Sequence, residues 1–206
     1  MNIKKQDIFL YTIIFLVFAL YAWDIGNVDA IRQGTEGFYL QVSKEMYEMG
    51  SFLVPKYNGE DHWSKPPFQF WLSHIGYLFG GGPSIFISRL MIVLFSVGTI
   101  VLAAKEISNL IGKNFLKIFV FIAASVGMFK YSRIYMMEMP LTMLTTLASL
   151  YFYKYMHNHK RALILGAIFL ALSILVKGPV SFVMSVGGCG LYLLVQSYLD
   201  GIKIEN

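Results

Sequence analysis

Four charged residues stand at the ends of strongly apolar segments: Glu36, Lys65, Glu138 and Lys177. Ionisable side chains are expensive to keep beside hydrocarbon, so such positions indicate a functional site by default. A carboxylate can take a proton from an attacking hydroxyl or amine group, and an ammonium group can hold a phosphate through charge-assisted hydrogen bonds. If these four side chains meet in one pocket, it could combine proton transfer with the binding of an anion.

Each of these residues also has a structural interpretation, which stays open at this point. Glu36 could be a helix-start acid that complements the helix dipole. Lys65, Arg133 and Lys177 could be interfacial anchors whose apolar stems lie along the membrane. Glu138 could form an ion pair with the nearby Arg133. Their predicted position on one side of the membrane favours a common site.

The composition indicates what kind of molecule must position these side chains. The chain has 206 residues, of which 56% are hydrophobic and 14% charged, whereas soluble domains carry about 25% charged residues. A soluble domain of this length buries only about 70% of its unfolded surface. These values exclude a soluble enzyme, a secreted disulfide scaffold and a disordered protein, and the single Cys189 excludes an intrachain disulfide.

The apolar segments predict an all-α, polytopic transmembrane helical bundle of about six spans, with residues 1–206 forming a single transmembrane domain. The first segment is interpreted as an uncleaved anchor rather than a signal peptide. Lys and Arg exceed Asp and Glu in alternate connections, which predicts a multi-pass protein with a cytoplasmic N-terminus. The net charge of +5 is attributed to these connections and not to nucleic-acid binding. The predicted spans are residues 8–23, 85–104, 115–129, 141–156, 162–176 and 180–199.

The segment 24–83 is the only long connection, and it is predicted to be an extracytoplasmic loop with two amphipathic juxtamembrane helices. Pro66 and Pro67 are expected to open the second helix, and the glycine run that begins at Gly80 to end it. In the first helix, apolar residues at helical spacing form one face. A polar-aromatic line on another face is expected to be free to face a site: Glu36, Tyr39, Ser43 and Tyr47.

Five short motifs in this order resemble the N-terminal half of GT-C class integral-membrane glycosyltransferases. The branch most similar is the aminoarabinose transferase and dolichyl-phosphate-mannose–protein mannosyltransferase type (glycosyltransferase family 39). The resemblance implies transfer of a sugar from a polyprenyl-phosphate carrier to an acceptor on the outer face of a membrane, here the bacterial inner membrane. The motifs are TEGFY at 35–39, VPKYNG at 54–59, WSKPPFQFW at 63–71, EMPLT at 138–142 and VKGPV at 176–180.

The resemblance also implies roles for individual residues. Glu36 matches the second member of an acidic pair whose first member, usually Asp, is Thr35 here. Glu138 stands where the family usually has Asp, and Tyr39 and Lys177 match a tyrosine and a lysine of the family pattern. We expect Glu36 to act as the catalytic base, with Glu138 as an orienting group or second base, and Tyr39 to contact substrate.

Lys65 matches the lysine of a Glu-Lys-Pro-Pro motif whose Glu helps to hold a divalent metal in one branch of the family. Ser64 replaces that Glu, so the sequence assigns no metal ligand and puts metal dependence in doubt. Lys65, Lys177 and Arg133 are expected to bind the phosphate of the polyprenyl-phosphate donor, with membrane lipid as the surrounding partner.

Length separates this chain from the family it resembles, because the C-terminal half of the family architecture is absent. The chain is a natural short form, a fragment, or one part of a split enzyme whose second chain supplies the missing half. The alternative function is a non-catalytic membrane scaffold or a transporter half. A transporter should place ionisable groups near the bilayer midplane, where Arg89 is the nearest candidate.

Overall fold

The computed structural model describes residues 5–27, 34–157 and 159–204, and these are helical almost throughout. This confirms the predicted all-α fold class. The helices in the first two thirds of the chain are α1 (Lys5–Ala22), α2 (Gly34–Glu48), α3 (Phe68–Gly80), α4 (Ile85–Ile111), α5 (Phe115–Ala123) and α6 (Val126–Tyr131). They are followed by α7 (Glu138–Met156), α8 (Ala162–Lys177), α9 (Val180–Phe182), a π-helical turn (Val183–Gly187) and α10 (Gly188–Ile204).

The long helix α4 is the centre of the bundle, because it contacts α1, α3, α5 and α7. Helix α8 packs along α7 in the opposite direction, since Lys177 at the end of α8 meets Glu138 at the start of α7. Helices α4 and α7 begin at the same end of the bundle, because Glu106 late in α4 contacts Lys154 late in α7. We call this the Glu138 end, and the end where α4 and α7 finish the opposite end.

Residues 34–80 form a cap of two helices, α2 and α3, with a small hairpin between them. Strands β1 (Lys56–Tyr57) and β2 (Glu60–Asp61) pair antiparallel. The turn between them places Asn58 and Gly59 at φ values of 54° and 80°, as the tight turns of two-residue hairpins require. Gly81, at φ 83°, closes α3, which confirms the predicted end of that helix.

The polar-aromatic line of α2 is not free, so that part of the prediction is wrong, whereas the position of α2 at the membrane surface stays a prediction. Glu36, Tyr39 and Ser43 are buried, and so are Val42 and Met46 on the apolar face. The helix packs against α3 and β1. Helical spacing identified both faces correctly but could not show that other parts of the chain cover them.

The predicted third span, residues 115–129, is also wrong as a single helix. It consists of α5 and α6, with a break after Ala123. The side chain of Ser125 accepts a hydrogen bond from the backbone N–H of Met128 and so begins α6. The number of spans stays a prediction. By length and apolar composition, two described helical segments could cross a membrane, Ile85–Ile111 and Val180–Leu199.

Close contact between α7 and α8 depends on Gly166. A Cβ atom built at this position would lie 2.7 Å from the Cδ1 atom of Phe152 on α7. A rigid ring cannot yield to such an overlap as a flexible chain end can. Small residues let neighbouring membrane helices approach closely, so Gly166 sets the separation of the two helices.

We expect Gly166→Leu to destabilise the folded chain by about 1–3 kcal/mol, because added methylene groups overpack the contact with Phe152. The thermal midpoint of the purified chain in detergent measures this effect. The matched control is Gly98→Leu, since nothing lies within 4 Å of a Cβ atom at Gly98. Equal losses in the two variants would contradict the proposed role of the α7–α8 contact.

Candidate functional site

A buried ion pair links the start of α2 to the first part of α4. The Nε and Nη2 atoms of Arg89 donate to the Oε1 and Oε2 atoms of Glu36 at 2.8 and 2.9 Å. Both side chains are fully buried. Taking two charges out of water is costly and is offset only by such close, two-pronged geometry. Nη1 of Arg89 also donates to the carbonyl oxygen of Ile25 at 3.0 Å, which attaches the segment after α1.

The same carboxylate holds the segment that leads into α7. The backbone N–H of Tyr135 donates to the Oε1 atom of Glu36 at 2.9 Å. Glu36 thus accepts hydrogen bonds on both of its oxygens and is closed off from solvent. This placement differs from the expectation that Glu36 faces an acceptor. Its role as catalytic base stays a prediction, whereas its role in fixing the chain before Glu138 follows directly from the contacts.

The hydroxyl of Tyr135 is the centre of a second buried polar cluster. It forms hydrogen bonds with the hydroxyls of Ser43 on α2, at 2.7 Å, and Ser73 on α3. It also donates to the carbonyl oxygen of Gln69 at 2.9 Å. Burial, followed by the proximity of Tyr77, raises the pKa of the Tyr135 phenol, so the group stays neutral. Tyr135 could not be recognised from the sequence, because no local pattern shows which helices its hydroxyl reaches.

Glu138 and Lys177 meet at the Glu138 end of the bundle. The Nζ atom of Lys177 lies 3.5 Å from the Oε1 atom of Glu138, and the side chains are 39% and 37% exposed. The Oε2 atom of Glu138 is buried and accepts no hydrogen bond from the described residues. The Glu138 side chain is therefore partly reachable from solvent, although its oxygen without a donor is buried, whereas Glu36 is fully closed off.

Tyr39 belongs to the surroundings of this ion pair. Its side chain is 7% exposed. Burial and, after it, the negative charge of Glu138 raise the pKa of the Tyr39 phenol. The phenol therefore stays protonated and able to donate a hydrogen bond at neutral pH.

The other two expected substrate-binding residues are not joined to Glu138 in the described part of the chain. Arg133 donates to the carbonyl oxygen of Trp23, and its guanidinium lies 4.8 Å from the ring centre of Phe129. The alternative in which Arg133 pairs with Glu138 is wrong, since the ion-pair partner is Lys177. Lys65 is half-buried just before α3.

The residues near the family's metal position do not fit a divalent ion. The hydroxyl of Ser64 and the Nε2 atom of His62 lie 2.5 Å apart and are hydrogen-bonded to each other. His62 also packs against the rings of Phe38 and Tyr57. No carboxylate is supplied at Ser64. Among the described residues, no three His, Cys, Asp or Glu side chains come together to form a metal site.

The chain matches one known family and two known proteins over most of its length. Residues 8–204 match the model of the family described as dolichyl-phosphate-mannose-protein mannosyltransferase. Two uncharacterized proteins of Aquifex aeolicus (strain VF5) are similar, at 32% identity over 194 residues and 31% over 206 residues. The alignments cover 92% and 98% of this chain but only 38% and 46% of those proteins, so the chain spans less than half of their length.

The fold is similar to crystal structures of ArnT from Cupriavidus metallidurans. The structure bound to undecaprenyl phosphate superposes with a TM-score of 0.74 at 18% identity. The structure of the apo state superposes with a TM-score of 0.72 at 20% identity. These superpositions cover 92% and 93% of this chain and 36% of each ArnT chain. At this identity the likeness establishes the fold.

We expect Arg89→Met to destabilise the chain by about 3–5 kcal/mol, because it leaves the Glu36 carboxylate buried without its cation. The double variant Glu36→Met/Arg89→Met should lose less than the single variant, since neither charge is then left alone. Thermal midpoints in detergent for the single and double variants measure this coupling.

The control for this experiment is Arg133→Met, which removes a cation that is only partly buried at the same end of the bundle. A small loss is expected there. A loss for Arg89→Met no greater than the loss for Arg133→Met would show that the buried ion pair does not hold the cap to α4.

Proposed function

Because the chain belongs to the dolichyl-phosphate-mannose-protein mannosyltransferase family, we propose that it transfers a sugar from a polyprenyl-phosphate carrier to an acceptor. The chain is an integral membrane protein, and we place the reaction on the outer face of the bacterial inner membrane, with the N-terminus cytoplasmic. The carrier class is supported by the undecaprenyl phosphate bound to ArnT, a protein of the same fold. The observation that carries the proposal is the half-exposed Glu138–Lys177 pair beside Tyr39.

We assign the catalytic base to Glu138 rather than to Glu36. A general base must come within hydrogen-bond reach of the proton that it removes. Glu36 is enclosed and carries hydrogen bonds on both oxygens, whereas the Glu138 side chain is 37% exposed and its Oε1 atom lies 3.5 Å from Lys177 Nζ. Glu36 then acts as a positioning residue, because it fixes the backbone of Tyr135 shortly before Glu138.

The transfer step proceeds as a direct displacement. The acceptor hydroxyl or amine gives its proton to Glu138 while its oxygen or nitrogen forms a bond to the anomeric carbon. The bond between that carbon and the phosphate oxygen of the carrier breaks, and the carrier phosphate leaves with the electron pair. Lys177 would stabilise the charge that develops on the departing phosphate, and Lys65 and Arg133 are proposed as further cations for it, although neither contacts Glu138. Inversion at the anomeric carbon follows from one displacement.

Binding of the donor would also release Glu138 for its role as a base. The ammonium of Lys177 lies 3.5 Å from the Glu138 carboxylate, a distance that leaves this ion pair loose. A phosphate near Lys177 competes for the same ammonium and draws it from the carboxylate. Tyr39, protonated at neutral pH, can donate to the substrate at the same place.

The transporter alternative receives less support from the placement of charge. A transporter should bind its substrate near the bilayer midplane, with ionisable groups there. Arg89 was the nearest such candidate, and its guanidinium is held by Glu36 at the Glu138 end of α4. Because the chain spans only part of its relatives, we also propose that further helices, in the same or a second chain, complete the donor site.

We expect Glu138→Gln to lower sugar transfer by about 100-fold or more, since loss of a general base costs on the order of 10²–10⁴ in rate. The assay measures transfer from a polyprenyl-phosphate sugar in membranes of the native host, whose own gene copy carries the substitution. Glu48→Gln is the matched control, because Glu48 is an exposed partner of Lys44 on α2.

The same assay separates the two carboxylates. Glu36→Gln should lower both the thermal midpoint and transfer, whereas Glu138→Gln should lower transfer with the thermal midpoint unchanged. Full activity of Glu138→Gln would remove the proposed base. A loss of transfer for Glu36→Gln with unchanged stability would return the role of base to Glu36.

We expect chelation of divalent cations to leave the transfer rate unchanged, because Ser64 and His62 are bonded to each other and supply no carboxylate at the family's metal position. The measurement is the transfer rate in the same membranes with and without EDTA. Loss of transfer that Mg²⁺ or Mn²⁺ restores would overturn this expectation.

A further inference from the structure

We propose that the opposite end of the bundle contains a binding site for the phosphate of an anionic membrane phospholipid. The site lies where the last turns of α4 and α7 meet the first turn of α8. It is at the other end of the bundle from Glu138 and Lys177, and it does not depend on the proposed transferase activity.

The site is a cavity of about 330 Å³. Its polar lining comes from Asn109 near the end of α4, Tyr151 and Lys154 near the end of α7, and His159 and Arg161 in the connection to α8. Asparagine, lysine and arginine offer hydrogen-bond donors, and histidine offers at least one. Such a lining is suited to an anion rather than to a cation.

The acid next to this cavity does not oppose the binding of an anion, because its charge is already neutralised. The ammonium of Lys154 contacts the Glu106 carboxylate, and the hydroxyl of Tyr151 donates to the Oε1 atom of Glu106 at 2.9 Å. Glu106 and Lys154 together therefore contribute little net charge. The attraction for a phosphate must come from the connection that begins α8.

Arg161 supplies that attraction. Its side chain is exposed, and it forms no ion pair with any described residue. It directly precedes α8, whose first turn contains no acidic residue. The first two N–H groups of α8 donate to the carbonyl oxygens of His159 and Lys160, so the attraction comes from the guanidinium itself. Arginine binds phosphate through two parallel hydrogen bonds, which makes it the strongest candidate ligand in the cavity.

The apolar lining indicates that the phosphate belongs to a lipid. Leu110 and Leu165 line the cavity beside the charged groups, and α8 is strongly apolar beyond its first turn. A phospholipid headgroup would reach Arg161 while its acyl chains lie along these leucines. Basic pockets between membrane helices at the cytoplasmic side recognise anionic headgroups in this way, and the predicted orientation places this end on that side.

Native mass spectrometry of the full chain in detergent tests the proposal. We expect phosphatidylglycerol to bind more tightly than phosphatidylcholine, and Arg161→Gln to weaken phosphatidylglycerol binding about tenfold, the loss of one charge-assisted contact. The matched control is Lys160→Gln. It removes the same charge from the adjacent exposed residue, which does not line the cavity, and should leave binding unchanged.

If Arg161→Gln does not fold, a second variant of the same site, His159→Gln, still tests the proposal. It should weaken phosphatidylglycerol binding by a smaller factor than Arg161→Gln. Equal binding of the two lipids by the unaltered chain would overturn the proposal. So would an equal loss in Lys160→Gln and Arg161→Gln, which would show general surface attraction. Displacement of the lipid by millimolar inorganic phosphate would also overturn it, because the site would then be one for a soluble anion.

Discussion

The structure depends on one interaction, the buried ion pair between Glu36 and Arg89. Once two charges are removed from water, neither can lose its partner without a large cost. Because Arg89 also holds the carbonyl oxygen of Ile25, and Glu36 holds the backbone of Tyr135, the pair joins four parts of the chain. These are the segment after α1, the start of α2, the first turns of α4 and the approach to α7. The position of Glu138 follows from that junction.

The two carboxylates of the candidate site show how surroundings, rather than residue type, decide the role of a side chain. Glu36 accepts hydrogen bonds on both oxygens and is closed to solvent, so it can fix structure but cannot readily reach a ligand. Glu138 faces one ammonium at 3.5 Å and keeps an oxygen without a hydrogen-bond donor among the described residues. A general base must be fixed in position while its oxygens are not all engaged by hydrogen-bond donors. Of the two carboxylates, Glu138 meets that requirement.

Much of the helical framework could be predicted from the sequence, because its signals are local. The double proline before Phe68 and the glycine run after it mark both ends of α3. The break between α5 and α6 was missed because the segment is apolar throughout, and only the capping contact of Ser125 shows where the helix restarts. Local patterns report helix ends more clearly than interruptions within a uniformly apolar run.

The partners within the candidate site were less predictable, because they join residues far apart in the chain. Lys177 and Glu138 could be placed on one side of the membrane from the order of the spans, but their pairing could not. Arg89 stood out as a charge inside an apolar segment, yet its partner lies in a different helix. The burial of Ser43 and Tyr39 depends on α3 and on the approach to α7, which helical periodicity in α2 cannot report.

Carbodiimide labelling of carboxylates, read by peptide mass spectrometry, compares Glu36 and Glu138 directly within the same folded molecule. We expect Glu138 to be modified while Glu36 is protected, and polyprenyl phosphate to slow the modification of Glu138. Modification of Glu36 as fast as Glu138 would show that Glu36 is not sealed in an ion pair and that Glu138 is not the more reachable carboxylate.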